Sequence, residues 1–205
     1  MSSLGNIGVL LGGAWTSGIN LYLTIALLGI ANRLGVIELP GNLGVLSNLA
    51  VITLAIIIYL IEFFADKIPF VDSAWDSVHT FIRPVGGALL ASSALSNSPP
   101  AVQVAGAMVC GTVALDAHLT KATTRVAINS SPEPFTNSIA SVTEDGLVFV
   151  ALWLAWKHPV ITIILVLAFV VFSIWFLKIM FRFLKKVFRF LTGNNEDNDP
   201  EDDCE

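Results

Sequence analysis

The chain has 205 residues, of which 55% are hydrophobic and only 13% are charged, and its mean hydropathy is +0.76. In soluble domains about a quarter of all residues are charged. This composition therefore excludes an ordinary soluble protein and predicts an integral membrane protein. The formal net charge of −5 reflects the C-terminus, since seven of the sixteen acidic residues lie at positions 196–205.

Six apolar segments are candidates for membrane spans, each of which needs about 17 to 25 helical residues. In chain order they cover residues 7–31, 46–65, 82–97, 100–118, 137–156 and 159–184. With both termini in the cytoplasm, nine Lys and Arg residues fall on the inner side and two on the outer side, as the positive-inside rule requires. We therefore predict an all-α polytopic membrane protein with about six transmembrane helices. No Lys or Arg precedes the first segment, so we expect it to remain as a span rather than to be cleaved as a signal peptide.

Polar side chains interrupt the first two spans. In the first span Thr16 and Asn20 are four residues apart and lie on one stripe of the helix. At the end of the second span Glu62 and Asp66 share a face in the same way, and Lys67 follows directly. Ionisable side chains within a spanning helix are costly and usually mark a functional pathway.

The connection at residues 69–84 predicts a short amphipathic helix. Asp72 suits the N-cap position, and Asp76 and His79 lie on the polar side. We expect this helix to lie at the membrane interface or to re-enter the bilayer, and to end at Arg83 before a proline. A plain amphipathic connector is the alternative.

Residues 116–145 carry the densest set of charges within apolar sequence. On a helix, His118, Lys121 and Arg125 share one face, whereas Asp116 points to the opposite side. Any one of these residues, taken alone, could instead lie at the membrane interface and only set the topology. Their number in one hairpin favours a functional pathway.

A proline-rich break at residues 131–134 (SPEP) separates this helix from the next. Beyond the break Asn137, Ser141 and Glu144 recur with helical spacing, and Asp145 follows. Two polar stripes therefore flank one break.

The chain also aligns weakly with itself. The first span matches the fourth, which pairs Asn20 with His118, and the second span matches the fifth. Units three spans apart cross a membrane in opposite directions, so the alignment predicts two inverted three-helix repeats with short or interrupted helices, residues 5–97 and 100–184. Such repeats are common in transporters, whose site lies near the bilayer midplane. Chance similarity between apolar helices is the alternative.

The C-terminal part divides into two segments beyond a transmembrane domain of residues 1–177. Residues 178–193 place Lys178, Arg182 and other cations among Phe and Leu, which is typical of a basic amphipathic helix on the inner leaflet. Because this segment directly continues a span, nucleic-acid binding is not expected. Residues 194–205 are like-charged and lack apolar periodicity, as in a disordered cytoplasmic tail.

Three long runs of the sequence carry a family resemblance: SGINLYLTIALLGIANRLG, IEFFADKIPFVDSAWDSVHTFIRPVGGALL and HLTKATTRVAINSSPEPFTNSIASVTED. They resemble the bacterial integral-membrane family known as domain of unknown function 4126, over roughly residues 5–159. The resemblance implies the fold and the location of the site, but no activity. We expect the protein to lie in the bacterial inner (plasma) membrane. The polar positions that recur in the family correspond to Asn20, Glu62, Asp66, Lys67, Asp72, Trp75, Asp76, Arg83, His118, Lys121, Arg125, Asn129, Pro132, Glu133, Pro134, Asn137, Glu144 and Asp145.

These observations favour a small secondary transporter or channel-like permease that uses buried charges near the bilayer midplane. Lys121 and Arg125 favour an anionic solute. A proton or cation route through the carboxylates is the alternative, with His118 relaying a proton to Glu144 or Asp145. The residues expected to line the pathway are Asn20, Glu62, Asp66, Lys67, Asp72, Asp76, His79, Arg83, Asp116, His118, Lys121, Arg125, Asn137, Glu144 and Asp145.

Two other classes of function stay open. A membrane-embedded enzyme acting on a lipid or lipid phosphate would use His118 and the carboxylates for acid–base chemistry or to hold a metal, although the sequence has no HExxH, G-x-S-x-G or Walker motif. A structural or assembly subunit would use the charges only to hold helices together. No cofactor is expected, and the expected partners are the lipid bilayer and a small ion or anionic solute. The substrate and the oligomeric state stay open, a homo-oligomer included.

Overall fold

A computed structural model describes residues 3–129 and 134–192. The described residues form α-helices and one 3₁₀ helix and no strand, so the prediction of an all-α protein is confirmed. The predicted tail at 194–205 and residues 130–133 of the predicted break lie outside the described residues. The helices are α1 (Ser3–Ile19), α2 (Leu21–Arg33), the 3₁₀ helix (Gly41–Ser47), α3 (Leu49–Ala65), α4 (Pro69–Ala94), α5 (Pro100–Asn129), α6 (Pro134–Lys157) and α7 (Pro159–Thr192).

The predicted first span, residues 7–31, is not one helix. It is divided at Asn20, whose extended backbone (φ −149°, ψ 101°) separates α1 from α2. The two helices run back along each other, because Leu28 of α2 lies beside Gly13 of α1 and shares a buried cluster with Val9. The 17 residues of α1 span about 25 Å, less than the hydrocarbon thickness of about 30 Å. Asn20 is therefore the tip of a helical hairpin that enters the bundle and returns.

The two ends of the described chain lie at opposite ends of the bundle. Gly8, near the start of α1, lies against Pro159 at the start of α7, and the two helices run in the same direction. We call this the Pro159 end, and the end where α7 carries Lys178 and Arg182 the basic end. Since α1 begins at the Pro159 end and α7 finishes at the basic end, the arrangement does not support the prediction of two cytoplasmic termini.

Three helices are long and apolar enough to cross a membrane: Pro100–Ile128, Phe135–Lys157 and Pro159–Phe183. The 3₁₀ helix and α3 meet at an angle of 72°, and together they form a fourth candidate span if the bent pair is counted as one. These apolar helices indicate an integral membrane protein. Six spans are not confirmed in the described part of the chain, because the first is a hairpin and the 26-residue α4 is rich in polar and charged residues.

The predicted connector helix, residues 69–84, and the predicted third span, residues 82–97, form the single helix α4. The expected helix end at Arg83 is wrong, because Pro84 lies inside α4. Proline usually breaks a helix by removing one hydrogen bond and crowding the preceding turn. Here the fully buried Arg83 makes hydrogen bonds to other helices, and these tertiary contacts favour the continuation of α4 through Pro84.

The inverted repeat is not confirmed. Gly18 of α1 lies against Ala114 of α5, and Ala14 shares a buried cluster with Cys110 one turn earlier in α5. The matched helices α1 and α5 therefore run parallel, whereas an inverted repeat would make them antiparallel.

Glycines allow α1 to approach its neighbours closely. A Cβ atom added to Gly12 would lie 2.7 Å from Cβ of Ala155 and 3.2 Å from Cγ2 of Thr162. Carbon atoms in contact are normally about 3.5–4.0 Å apart. The small-residue face of α1 is thus filled by α6 and α7 of the same chain.

We expect Gly12→Ala to lower the free energy of unfolding by about 1–3 kcal/mol, because the added methyl overpacks this contact. Gly146 of α6 is a matched control, since an added Cβ there would meet nothing within 4 Å. Gly146→Ala should raise stability by up to about 1 kcal/mol, because alanine favours helix. Reversible unfolding in mixed micelles measures both changes, and equal effects of the two variants would contradict this packing.

Candidate functional site

Charged residues of α3, α5 and α6 meet in one buried network. The Lys121 ammonium lies 3.1 Å from Asp66, 3.4 Å from Glu144 and 3.7 Å from Glu62, measured to carboxylate oxygens. Arg125 binds both carboxylate oxygens of Glu144, the shorter contact being 2.7 Å. Together with two residues of α4 this network is called the ion cluster. Its members are Glu62, Asp66, Asp76, Arg83, Lys121, Arg125 and Glu144.

Arg83 connects α4 to three other helices. Its Nη2 lies 2.5 Å from Glu62 Oε1 in α3, and its Nη1 donates to Nδ1 of His118 in α5 at 2.8 Å. Nη1 also donates to the carbonyl oxygen of Gly18 at 2.9 Å, near the end of α1. Both Arg83 and Glu62 are fully buried. The desolvation cost of the two charges is therefore offset by the close contact between them and not by water.

His118 is held as a neutral imidazole with its proton on Nε2. A guanidinium can only donate, so the Nδ1 that faces it must accept. The Nε2 atom lies 2.9 Å from the Thr80 hydroxyl, which itself donates to the carbonyl of Asp76. None of the hydrogen bonds that His118 makes in the described chain reaches Glu144 or Asp145, so the structure does not bring together the partners of the suggested relay.

The tip of the hairpin is joined to the ion cluster through backbone carbonyls. Arg83 donates to the carbonyl of Gly18, and the Lys121 ammonium lies 3.4 Å from the carbonyl of Ile19. The last carbonyls of a helix lack intrahelical donors and carry partial negative charge. Two cations replace those donors here, which allows the chain to break inside an apolar bundle.

Asn20 caps α2 and binds Asp145 at the same time. Its side-chain oxygen accepts from the backbone N–H of Leu23 at 3.0 Å, and its Nδ2 donates to Asp145 Oδ1 at 3.2 Å. The Tyr59 hydroxyl donates to the other oxygen of Asp145 at 2.9 Å. Asp145 is therefore held by neutral donors, and no Lys or Arg nitrogen of the described residues ion-pairs with it.

Carboxylates outnumber cations in this region. The ion cluster contains four carboxylates and three cations. Asp145 and the fully buried Asp72 add two carboxylates, and Lys67 adds one cation. If every group were ionised, the described residues would give the region a formal charge of −2, which is costly in an apolar environment. Two bound protons or monovalent cations would neutralise it.

Asp76 is the most weakly paired carboxylate of the ion cluster. It is 4% exposed, and neither of its carboxylate oxygens has a hydrogen-bond partner among the described residues. Its cation contact is Arg83 at 3.7 Å, and Arg83 already binds Glu62 at 2.5 Å. Asp76 could therefore take up a proton without leaving a cation unpaired.

Asp116 and His79 are two of the predicted pathway residues that do not belong to the ion cluster. Asp116 is on the opposite face of α5, as predicted, and accepts a hydrogen bond from Ser173 of α7 at 2.6 Å. His79 stacks on Trp75 and lies 3.2 Å from the Tyr22 hydroxyl through Nε2. His79 borders the cluster, whereas Asp116 is separated from it by the helix.

Three further predicted residues lie at the edge of the cluster. The backbone carbonyl of Asn137 accepts from Arg125 at 3.2 Å. Asp72 is buried within electrostatic range of Arg125. Lys67 follows α3, where its ammonium lies over the Phe63 ring and donates to the Phe63 carbonyl at 2.9 Å. Desolvation at this position lowers the pKa of Lys67 from its ordinary value.

Sequence reasoning left Tyr59 and Thr80 out of the pathway. Tyr59 lies three residues before Glu62, a helical spacing that places both on the same face. The sequence therefore contained a reason to include Tyr59, which contacts Asp145. It contained no reason to include Thr80, because the hydroxyl of a threonine in a helix normally bonds the carbonyl four residues earlier. Its hydroxyl does so here, and its contact with His118 depends on the crossing of α4 and α5.

An apolar layer separates the ion cluster from the Pro159 end. It is formed by Ala14, Ala91, Cys110, Val113 and Val166, all buried. On the far side of this layer, a cavity of about 430 Å³ lies between the start of α1 and the end of α4, with Glu38 and several amide and hydroxyl side chains in its wall. Between this cavity and the ion cluster, the described helices thus bring apolar side chains into contact with one another.

The arrangement does not resemble a metal centre. No group of three or more His, Cys, Asp and Glu side chains within residues 3–129 and 134–192 is placed to hold a metal ion. The carboxylates of the ion cluster instead face Lys and Arg side chains.

The family described as Domain of unknown function (DUF4126) matches residues 7–179. No curated protein and no solved structure matches the chain.

Proposed function

We propose a function from the site itself, because the chain belongs to the DUF4126 family, whose description assigns no activity. The protein is a membrane permease that moves protons, either alone or coupled to a small solute. The observation that carries this proposal is the buried excess of carboxylates around the broken helix α1–α2.

The charge balance favours protons over anions. Lys121 and Arg125, the residues that favoured an anionic solute in the sequence, are both engaged by carboxylates of Asp66 and Glu144. An anion would have to displace these partners and would add charge to a region that is already acidic. A proton reduces that charge, and the weakly paired Asp76 offers it a place to bind.

The hairpin supports a transport role. Interrupted helices whose ends face buried charges are typical of transporters, in which irregular backbone lies beside the transported ion. Here the interruption is at Asn20, and its side chain contacts Asp145 directly. The buried hydroxyls of Thr16 and Ser17 continue from this point toward the apolar layer. We propose that movement of α1 against α4 and α5 opens that layer.

The test is proton flux into proteoliposomes containing the full chain and a pH-sensitive dye, driven by a potassium diffusion potential. We expect Asp76→Asn to reduce the flux about tenfold or more, because a positioned proton-transfer group contributes at least that factor. The change preserves shape and removes the titrating oxygen.

Asp116→Asn is the matched control, because it removes a carboxylate of the same type on the opposite face of α5, where it bonds Ser173. It should leave the flux unchanged. Both variants are first compared with the wild type by thermal unfolding. A folded wild-type protein without proton flux, or equal losses in the two variants, would overturn the proposal.

A structural or assembly role is the second candidate. It is favoured by the fact that the ion cluster ties together α3, α4, α5 and α6, and Arg83 and Lys121 also bind α1. In that case Asp76→Asn would alter stability or complex formation, and proton flux would be absent from every variant and from the wild type.

A further inference from the structure

The length of α7 places its basic end near the lipid headgroups if Pro159 lies at the opposite boundary of the hydrocarbon core. Lys178 lies 19 residues after Pro159, a helical distance of about 28 Å, and the hydrocarbon core is about 30 Å thick. The apolar part of α7 ends near Phe183, while the helix continues to Thr192. Lys178 and Arg182 are therefore placed where a spanning helix leaves the hydrocarbon.

A groove between α5 and α7 lies at this level. Its volume is about 550 Å³, and its walls are mainly apolar. Lys178 and Arg182 are one helical turn apart and both border it. Its lining residues are Leu119, Thr123, Leu177, Lys178, Phe181 and Arg182.

Lys178 and Arg182 have no anionic partner within residues 3–129 and 134–192. Asp116, which lies earlier on α5, is engaged by Ser173. Lys185 and Lys186 add further positive charge beyond the groove. The ligand that complements this surface has an anionic head and an apolar body.

We propose that the groove between α5 and α7 binds an anionic diacyl phospholipid. Its phosphate lies between Lys178 and Arg182, and an acyl chain lies along Leu119, Leu177 and Phe181. Basic pockets between transmembrane helices, at the depth of the headgroups, suit such lipids. Because the two cations lie beside apolar walls, the groove suits a ligand with both an anionic head and an acyl chain, whereas a purely basic patch would attract any anion.

Native mass spectrometry of the full-length protein in detergent micelles tests the proposal, because micelles remove the surface potential of a bilayer. Phosphatidylglycerol and phosphatidylcholine are titrated separately. We expect binding of the first phosphatidylglycerol to be at least several-fold tighter than that of phosphatidylcholine. Lys178→Gln with Arg182→Gln should weaken it roughly 10- to 30-fold.

The matched control is Lys185→Gln with Lys186→Gln, which removes the same charge from exposed positions beyond the groove. It should leave the first binding constant nearly unchanged. Excess inorganic phosphate should not displace the lipid, because the acyl contacts are absent from that competitor. Equal weakening by the two double variants, equal binding of the two lipids, or displacement by phosphate would each overturn the proposal.

Discussion

Replacing Arg83 with methionine is expected to lower the free energy of unfolding by about 3–5 kcal/mol, the usual effect of removing one partner of a buried ion pair. The variant leaves Glu62 buried without the guanidinium that now lies 2.5 Å away. It also removes the donor to the Gly18 carbonyl at the end of α1. Unfolding of the purified protein in mixed micelles measures the change.

Two further variants separate a charge effect from a packing effect. Glu62→Gln in the Arg83→Met background should recover part of the loss, because it removes the uncompensated charge. Arg33→Met is the matched control: Arg33 is exposed and donates to the carbonyl of Ser47 at 3.1 Å, so its replacement should change stability by less than about 0.5 kcal/mol. If Arg83→Met were as mild as this control, the buried pair would not have the importance assigned to it.

Asn20→Leu is expected to lower stability by about 2–4 kcal/mol, since it removes a helix cap and leaves a buried backbone donor unsatisfied. It also removes a donor to Asp145. Asn20→Asp separates these effects, because its oxygen can still accept from Leu23 but it faces Asp145 with a second carboxyl. Two such groups favour one shared proton, so the stability of Asn20→Asp should fall as the pH rises.

Asn48→Leu provides the comparison for the cap alone. Asn48 is exposed and caps α3 by accepting from the backbone N–H of Ala50 at 2.9 Å, and water can replace it there. The expected loss is about 0.5–1 kcal/mol. A pH-independent Asn20→Asp variant, or an Asn20→Leu variant no worse than Asn48→Leu, would show that the contact between Asn20 and Asp145 does not matter.

The sequence was most informative where polar residues repeated on one helix face. The spacing of His118, Lys121 and Arg125 predicted one stripe, and these residues do face the partners of a single buried network. Glu62 and Asp66 were grouped for the same reason. Helical periodicity is a local property, so it can be read from the chain without knowledge of the helix packing.

The path of the chain was harder to predict. Asn20 appeared as one member of a polar stripe, and no glycine or proline next to it indicated a break. The break depends on donors from distant helices, Arg83 and Lys121. Conversely, Pro84 indicated the end of a helix, but α4 continues through it because of its packing against other helices. The partners of His118 and Asp116 also depend on helix crossing, which a single sequence does not specify.

The hairpin has a consequence for the order of synthesis and membrane insertion. The donors that complete its tip are made long after it, because Arg83 follows Gly18 by 65 residues and Lys121 follows Ile19 by 102 residues. At about 5–20 residues per second, a ribosome needs at least ~5 s to supply the second donor. Until then, entry of the tip into hydrocarbon would leave its carbonyls unpaired. The hairpin of α1 and α2 is therefore expected to settle into the bilayer only after α4 and α5, although these helices are translated later.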